Sequence, residues 1–599
     1  MKKFFLVLIL CFLGVVSFSQ ELSESELESR KLFSESLDLL FIDKKYEARM
    51  KLNEAMTGEI YITDIPKFWY YAAKLDLQLG MVERAIQDLE NALLFSVVNE
   101  EANTLLNFIN NIKDFSYSNY EFPRVYELMN VHGVKNSFER FYDPIDLEVF
   151  NSNLYILDPQ NHLIFKTNGQ DETWIRLDKN KKYYSINSDK NLNRIYVSSN
   201  EGIYYFESFS PIIRKEVFID ATVESTSLTR EVENELNTLI EGFPFIIYDV
   251  DNVGRLIGYD PYANEIKVIG FNGEILQSKK FENNNIFIDG AFWHNSLYLL
   301  EYESSSIFHF DILKNEVVKT IDLPEAFYLS IEVLPWDMIM LSSLENGIQL
   351  LSKSNEIINM DTELENSNFS DFKGTIKIKN GIVALNDLEN NQVILHRIDA
   401  NSKKDLYILN LYGLIYYDDE RKVRGKLNIS DISGQKMEFL TKNITVMDAG
   451  GRVPFNYIRY YSVSTNYKYE INDFFKIHMP QINTDANIIT YGELNKSLSA
   501  EDVIPFILSN SSLFYLTETD SINSSLETLA YISGGMVVDK KYEDYLMQYL
   551  NDSYKLIDYI EYTLYPPIIS DIKSTRITLL LQDKILVDTL FYYTGGDMK

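Results

Sequence analysis

Apolar residues recur at helical spacing through the first part of the chain and at a spacing of two through its middle. Residues 22–115 carry the helical pattern. Tyr46-Glu47-Ala48 with Leu52 and Ala55 recurs as Glu83-Arg84-Ala85 with Leu89 and Ala92, an offset of 85 − 48 = 37 residues. Alanines at fixed places in a helical hairpin let one helix approach the next. Leu79-Gly80 supplies a turn, Phe68-Trp69-Tyr70-Tyr71 the aromatic bulk, and Glu100 to Lys113 a closing helix. From Asp143 short strand pairs take over. Asp143 to Leu147, Leu154 to Asp158 and Asn161 to Phe165 are the first group, followed by Arg194 to Val197 with Gly202 to Tyr205, and Phe245 to Tyr248 with Glu265 to Ile269. Ser296 to Leu300 with Ile307 to Phe310, Met338 to Leu341 with Ile348 to Leu351, and Gly381 to Leu385 with Val393 to His396 bring the number to six. A seventh position lies at Asp405 to Leu409. Leu228, Val232, Leu236, Leu239 and Ile240 stand at helical spacing before Gly242-Phe243-Pro244, so residues 227–241 are expected as an inserted helix.

Residues 404–480 stay rich in strands. After Pro480 strand and helix alternate: Asn487 to Gly492, Ser512 to Leu516 and Gly534 to Val538 read as strands. Ser499 to Ser509, Ser521 to Ser533 and Tyr542 to Leu550 read as helices. Such alternation implies a parallel sheet with right-handed crossovers. Ile577 to Leu581 and Ile585 to Tyr593 read as a closing hairpin.

The repeated alanine pattern with its turn glycine resembles the tetratricopeptide repeat, whose period of about 34 residues is lengthened here in the Thr57 to Pro66 connection. The first strand pair, with Asp158 in its turn and Asn168-Gly169 at its end, resembles the NHL-type propeller blade. Ile488 to Gly492, together with Leu526-Glu527-Thr528-Leu529-Ala530-Tyr531-Ile532-Ser533-Gly534-Gly535, resembles the C-terminal half of a von Willebrand factor A domain. The fold expected is therefore multidomain α+β. A signal peptide (1–19) precedes a helical repeat (20–120), a six- or seven-bladed β-propeller (121–403), a β-rich segment (404–480) that is a sandwich or a last blade, and a degenerate α/β domain (481–599).

Composition adds where the chain works. Lys2 and Lys3, the apolar run Phe4 to Val16 and Ser17-Phe18-Ser19 read as a secretory signal with a small-x-small cleavage site. Cys11 is the one cysteine of the chain and lies inside that signal. It follows large residues, Leu8-Ile9-Leu10, which a lipid-attachment box does not accept. The mature chain then has no disulfide, cysteine nucleophile or thiolate metal site. No other stretch reaches the length of a membrane span. Among 599 residues, 88 acidic against 56 basic side chains give a net charge of −32. That charge disfavours nucleic acid and anionic lipid and favours basic partners.

Candidate chemistry is sparse. The metal site of the von Willebrand family needs Asp-x-Ser-x-Ser. Asp448-Ala449-Gly450-Gly451-Arg452 supplies neither hydroxyl, and Tyr491 stands where the resemblance implies an aspartate. His132, His162, His294, His309, His396 and His478 form no metal-binding spacing. Ser533 lacks the glycine that a Gly-x-Ser-x-Gly nucleophile elbow places before it. Asp249-Val250-Asp251-Asn252-Val253-Gly254 is an incomplete calcium loop. No catalytic, cofactor-binding or metal-ligating residue is assigned. The expectation is a non-catalytic extracytoplasmic scaffold binding proteins of a cell-envelope assembly, by analogy one around a periplasmic flagellar motor. The competing expectations are a calcium-dependent propeller hydrolase or lactonase and a cell-wall glycan binder using exposed aromatics.

Overall fold

The computed structural model describes residues between Ser23 and Gly595; its larger gaps are 114–123, 208–235, 360–368, 400–407, 431–443, 469–485 and most of 492–510. Five helices come first: α1 (Glu24–Phe41), α2 (Lys45–Thr57), α3 (Ile65–Gln78), α4 (Val82–Phe95) and α5 (Glu100–Lys113). α1 pairs with α2 and α3 with α4, and α5 closes the stack. Ala48, Leu52 and Ala55 on α2, and Ala85, Leu89 and Ala92 on α4, are all fully buried, as close helix approach requires. Gly80 sits at φ +76° after α3, the left-handed position that ends a helix at glycine.

The repeat also extends to charges. Arg30 on α1 pairs with Asp64 at 2.8 Å, and Lys67 on α3 pairs with Glu101, each partner 37 residues further on (67 − 30 and 101 − 64). Between the hairpins Arg49 binds Asp76 through Nε at 2.7 Å and reaches Asp88 at 3.4 Å. Burial, reinforced by Asp76, pushes the Asp88 carboxyl up to about 7, so this guanidinium holds two desolvated acids together.

Six four-stranded antiparallel sheets follow and form a six-bladed β-propeller. Their innermost strands are Asp146–Phe150, Tyr183–Asp189, Ile246–Val250, Phe287–Trp293, Tyr328–Leu334 and Gly374–Lys379, for blades 1 to 6. Neighbouring inner strands touch all the way round, blade 6 against blade 1 included. The ring is closed by the N-terminal strand Arg124–His132, which pairs with Gln392–Asp399 as the outer strand of blade 6. Middle strands such as Asn153–Asp158 are buried along almost their whole length, because a blade is covered on both faces by its neighbours. Outer strands such as Glu316–Asp322 are largely exposed.

Each blade junction is fastened by a specific contact. Asp146 of blade 1 accepts the Ile186 amide of blade 2 at 2.8 Å, and Ser185 of blade 2 accepts the Ile247 amide of blade 3 at 2.9 Å. The same order returns three blades on: Asp289 accepts the Ile331 amide at 3.0 Å, and Ser330 accepts the Ile376 amide at 2.9 Å. Between blades 3 and 4 the Tyr248 ring lies against Gly290, where a Cβ would come within 2.7 Å of it. Between blades 6 and 1 the Asn386 amide group donates to the Pro144 carbonyl at 2.7 Å.

Two expectations are corrected. Residues 237–241 are the outer strand Asn237–Glu241 of blade 2, not the end of an inserted helix. Pairing with Gly202–Glu207 satisfies their backbone, which outweighs a helical spacing of leucines; residues 208–235 lie outside the described residues. The seventh blade position is also not a blade. Ile408 and Leu409 pair with Ile429 and Ser430 in a two-stranded sheet, while residues 405–407 lie outside the described residues.

Beyond the propeller, Thr465–Lys468, Ala486–Tyr491, Ser512–Thr517 and Met536–Asp539 form a parallel sheet in that order. Helix α6 (Ser524–Ile532) forms its last crossover, and α7 (Glu543–Asp552) follows its last strand. Of the helix expected at 499–509, Asp502 and Ile504 are described, and both are helical. Tyr554–Thr563 pairs with Lys422–Leu427 and Phe455–Val463, and the hairpin Asp571–Leu581 with Lys584–Gly595 pairs with Ile444–Asp448. These antiparallel sheets therefore draw strands from both sides of the parallel unit. Arg49→Met is expected to lower stability by about 3 kcal/mol, because it leaves Asp88 without its paired guanidinium and Asp76 with Arg84 alone, at 3.1 Å; urea unfolding of the purified chain measures it.

Candidate functional site

Four of the six inner strands carry a β-bulge directly before a polar residue. The register slips at Tyr183/Ser185, Ile247/Asp249, Phe287/Asp289 and Tyr328/Ser330. An extra residue re-aims the side chain that follows it. Here the following residue is Asp or Ser, and in three blades it takes a neighbouring strand's amide as described above.

The inner strands bring five carboxylates and two lysines into electrostatic contact at the propeller axis: Asp146, Glu148, Asp249, Asp289 and Glu332 with Lys377 and Lys379. Both lysines come from blade 6 and reach blade 3, on the opposite side of the ring. Lys377 Nζ donates to the Tyr248 carbonyl at 3.0 Å, while Lys379 Nζ pairs with Asp249 and touches the Val250 carbonyl at 3.4 Å. Burial alone would push the Lys377 ammonium down, but Asp146, Glu332, Asp249 and Glu148 outweigh it and raise its pKa. The ammonium is fixed in its charged form.

Two cations do not neutralise five acids, and the excess of 5 − 2 = 3 must be met otherwise. Burial pushes Glu148 and Asp289 up to about 7 and Glu332 well above the usual carboxylate range, so protons offset part of that excess near neutrality. Glu148 is fully buried. Its Oε2 accepts the Ser188 amide at 3.2 Å, whereas Oε1 has no hydrogen-bond partner. The arrangement meets its carboxylates with lysine ammonium groups, and among the described residues no three His, Cys, Asp or Glu side chains are grouped to hold a metal ion.

The sequence motifs fall elsewhere. In the incomplete calcium loop, Asp249 faces Lys379, and Asp251 forms a buried pair with Arg255 at 2.6 Å. Asp448 ends a strand of an antiparallel sheet, outside the parallel unit. Ser533 accepts the Leu513 amide at 2.9 Å and donates to the Ala530 carbonyl at 3.0 Å, a structural role after α6. His294 lies against the Tyr531 ring, and burial lowers it to about 3; His396 is lowered to about 4 by the same cause. His309 bonds Ser296 at 2.9 Å, and His478 lies outside the described residues. No motif pointed to the axial cluster. A signal was present in the recurrence of two apolar residues and then Asp or Ser: Tyr183-Tyr184-Ser185, Ile247-Tyr248-Asp249, Phe287-Ile288-Asp289 and Tyr328-Leu329-Ser330.

One propeller face is occupied by the α/β unit. On α7, Tyr545 donates to the Val253 carbonyl at 3.0 Å and Tyr549 donates to Asp189 at 3.0 Å. Gly254 and Gly270 make room: a Cβ there would meet the Tyr549 ring at 2.2 Å and the Tyr545 ring at 2.7 Å. Asn295 of blade 4 donates to the Val537 carbonyl at 3.0 Å, and Tyr531 on α6 donates to the His294 carbonyl at 3.1 Å. Sheet residues alternate between two partners. Ile489, Phe514, Leu516 and Val538 share a core with propeller residues Leu192, Val253 and Phe271. Ile488, Leu513, Tyr515 and Val537 share one with the helical hairpins.

Lys377→Met is expected to destabilise the chain by about 3–5 kcal/mol, and Glu332→Gln in the same chain to restore part of the loss, as read by urea unfolding. The Asp289 carboxyl ionises at 3.8 in an unperturbed setting and about 7 in the fold, so between these pH values unfolding releases its proton. Wild-type stability is therefore expected to fall relative to Asp289→Asn as pH rises through that window. Unfolding both chains in urea at each end of the window checks the sign.

No family model matches the chain, and no curated protein matches it. Solved structures do. Selenomethionine-substituted virginiamycin B lyase from Staphylococcus aureus is similar at 13% identity with a TM-score of 0.29, over 46% of this chain and 99% of that one. The WD40 β-propeller domain of Doa1 is similar at 12% identity and a TM-score of 0.29, over 46% and 97%. A luciferin-regenerating enzyme is similar at 10% identity and a TM-score of 0.32, over 46% and 95%.

Proposed function

We propose that this protein is a non-catalytic extracytoplasmic scaffold or adaptor that binds other proteins of a cell-envelope assembly. The observation that carries the reading is the span of Lys377 and Lys379 across the axis to blade 3. Carboxylates gathered at a propeller axis offer either a cation site or a structural ion cluster. Here the cations are the chain's own, and the cluster ties opposite blades together. The α/β unit seated on one propeller face supports the same reading, since it uses the propeller as a platform.

In this proposal the two helical hairpins are tetratricopeptide-type and the blades NHL-type. The parallel unit is a degenerate von Willebrand factor A-like module without its metal. The segment 1–19 directs export to the periplasm or beyond. Hairpins and blades of these kinds present broad surfaces suited to protein contacts.

A second reading, a hydrolase acting at the axis, draws on Glu148 and Asp289, whose raised pKa values near 7 are those of proton-transferring groups. Mild cross-linking in cells followed by affinity purification of the native protein separates the two. The scaffold reading expects the same envelope proteins in stoichiometric amounts in repeated preparations. Recovery of the chain alone, with one equivalent of calcium per chain by elemental analysis, overturns it.

A further inference from the structure

The propeller has two unlike faces, and strand order says which is which. Turns from inner to second strand, such as residues 189–194, 250–256 and 293–296, lie on the face that meets the α/β unit. The chain joins and leaves the propeller on this same side. Arg124 is paired with Asp399, at the end of the blade 6 third strand away from the Asp387 to Gln392 turn. The opposite face is built from the turns between second and third strands and from the segments leading into each inner strand.

That opposite face carries large exposed apolar side chains in a connected patch. Tyr302, Phe327 and Leu344 are 49, 43 and 43 % exposed. The Tyr302 and Phe327 rings meet edge to face at 5.8 Å across the junction of blades 4 and 5. The Tyr302 amide binds the Ile286 carbonyl at 2.9 Å and the Leu344 amide binds the Phe327 carbonyl at 3.0 Å, which places exposed Ile286 and Leu344 at the two ends of the patch. Its charged neighbours are acidic: Glu303 follows Tyr302, Glu325 precedes Phe327 by two residues, and Glu345 follows Leu344, all exposed. Further round, Leu388 is followed by Glu389, which is paired with Lys373 at 3.4 Å.

We propose that this patch on blades 4 and 5 docks a second protein through a segment in which lysine or arginine stands among apolar side chains. The proposal rests on the scaffold reading and specifies the partner's chemistry. Apolar side chains of this size give a docked segment its anchors, and the surrounding glutamates select its charge. A second copy of this chain is disfavoured by its net charge of −32, which would set like charges face to face. Anionic lipid is disfavoured by the same field.

The test uses the full chain and two fluorescent peptides of equal length and equal leucine content, one with lysines and one with glutamates between the leucines. Anisotropy titration is expected to show the lysine peptide binding at least about tenfold tighter, with affinity falling as salt rises. Tyr302→Ser with Phe327→Ser and Leu344→Ser is expected to weaken it by at least about tenfold without moving the thermal midpoint appreciably. Glu303→Lys with Glu325→Lys, which leaves the apolar residues in place, is expected to shift preference towards the glutamate peptide. Equal binding of both peptides overturns the proposal, as does unchanged affinity in the serine variant. A wild-type dimer in sedimentation that the serine variant abolishes overturns it in favour of a second copy. If the serine variant keeps the cross-linked envelope partners of the native chain, this surface is excluded while the scaffold reading stands. Loss of those partners in the same variant supports both.

Discussion

Closing six blades into a ring forces six inner strands side by side, and their side chains must share one narrow axis. Apolar side chains could fill it. In this chain the axis holds carboxylates, whose mutual repulsion in a desolvated space would open the ring. Lys377 and Lys379 prevent that by reaching from the last blade to the third. Their contribution depends on blade 6 being in place, and blade 6 is completed by the N-terminal strand Arg124–His132. Strand closure and charge closure thus depend on each other.

The axis and the α/β unit are linked through the same inner strands. Blade 2 places Ser185 against the blade 3 amide of Ile247, and four residues on, the same strand ends in Asp189, which accepts from Tyr549 of α7. Blade 3 places Asp249 against Lys379, and its turn then presents Val253 to Tyr545. A shift of either strand along the axis would disturb both contacts. Burial pushes the Asp189 carboxyl up to about 6, and three donors, the Tyr549 hydroxyl and the Asn191 and Leu192 amides, oppose that rise. Because the parallel sheet offers its other face to the helical hairpins, α-helical and propeller parts are held through one intermediate layer.

How much of this was legible follows from burial. In blades 2, 4, 5 and 6 the strand pairs read from the sequence are the two middle ones, such as Ser296–Glu301 with Ser306–Asp311. These are covered on both sides and give the apolar runs that sequence reading detects. The inner strands of blades 2, 4, 5 and 6 hid for two reasons, whereas those of blades 1 and 3 were read in part. Polar residues such as Asp289 and Ser330 interrupt their apolar pattern, and the bulge before each of them breaks the period of two. Outer strands hid because exposure removes the apolar signal, and Asn237–Glu241 was misread as a helix because Leu236, Leu239 and Ile240 also fit a helical spacing. The helical hairpins were legible because Ala48 and Ala85 are packing requirements written at a fixed offset. The axial cluster was not, since its members are spread over five blades between Asp146 and Lys379 and converge through ring closure alone.

The same closure explains why the two propeller faces differ. Turns facing the α/β unit include Gly254 and Gly270, which admit the tyrosines of α7, and Asn191 and Asn295, which answer its polar atoms. Turns on the other face carry glutamates beside Tyr302, Phe327 and Leu344. A carboxylate beside an exposed aromatic keeps that face soluble and discourages contact with another acidic surface. The apolar residues still offer contact area to a partner whose charge answers the glutamates. One face is thus committed within the chain, and the charge pattern of the other restricts which proteins can approach it.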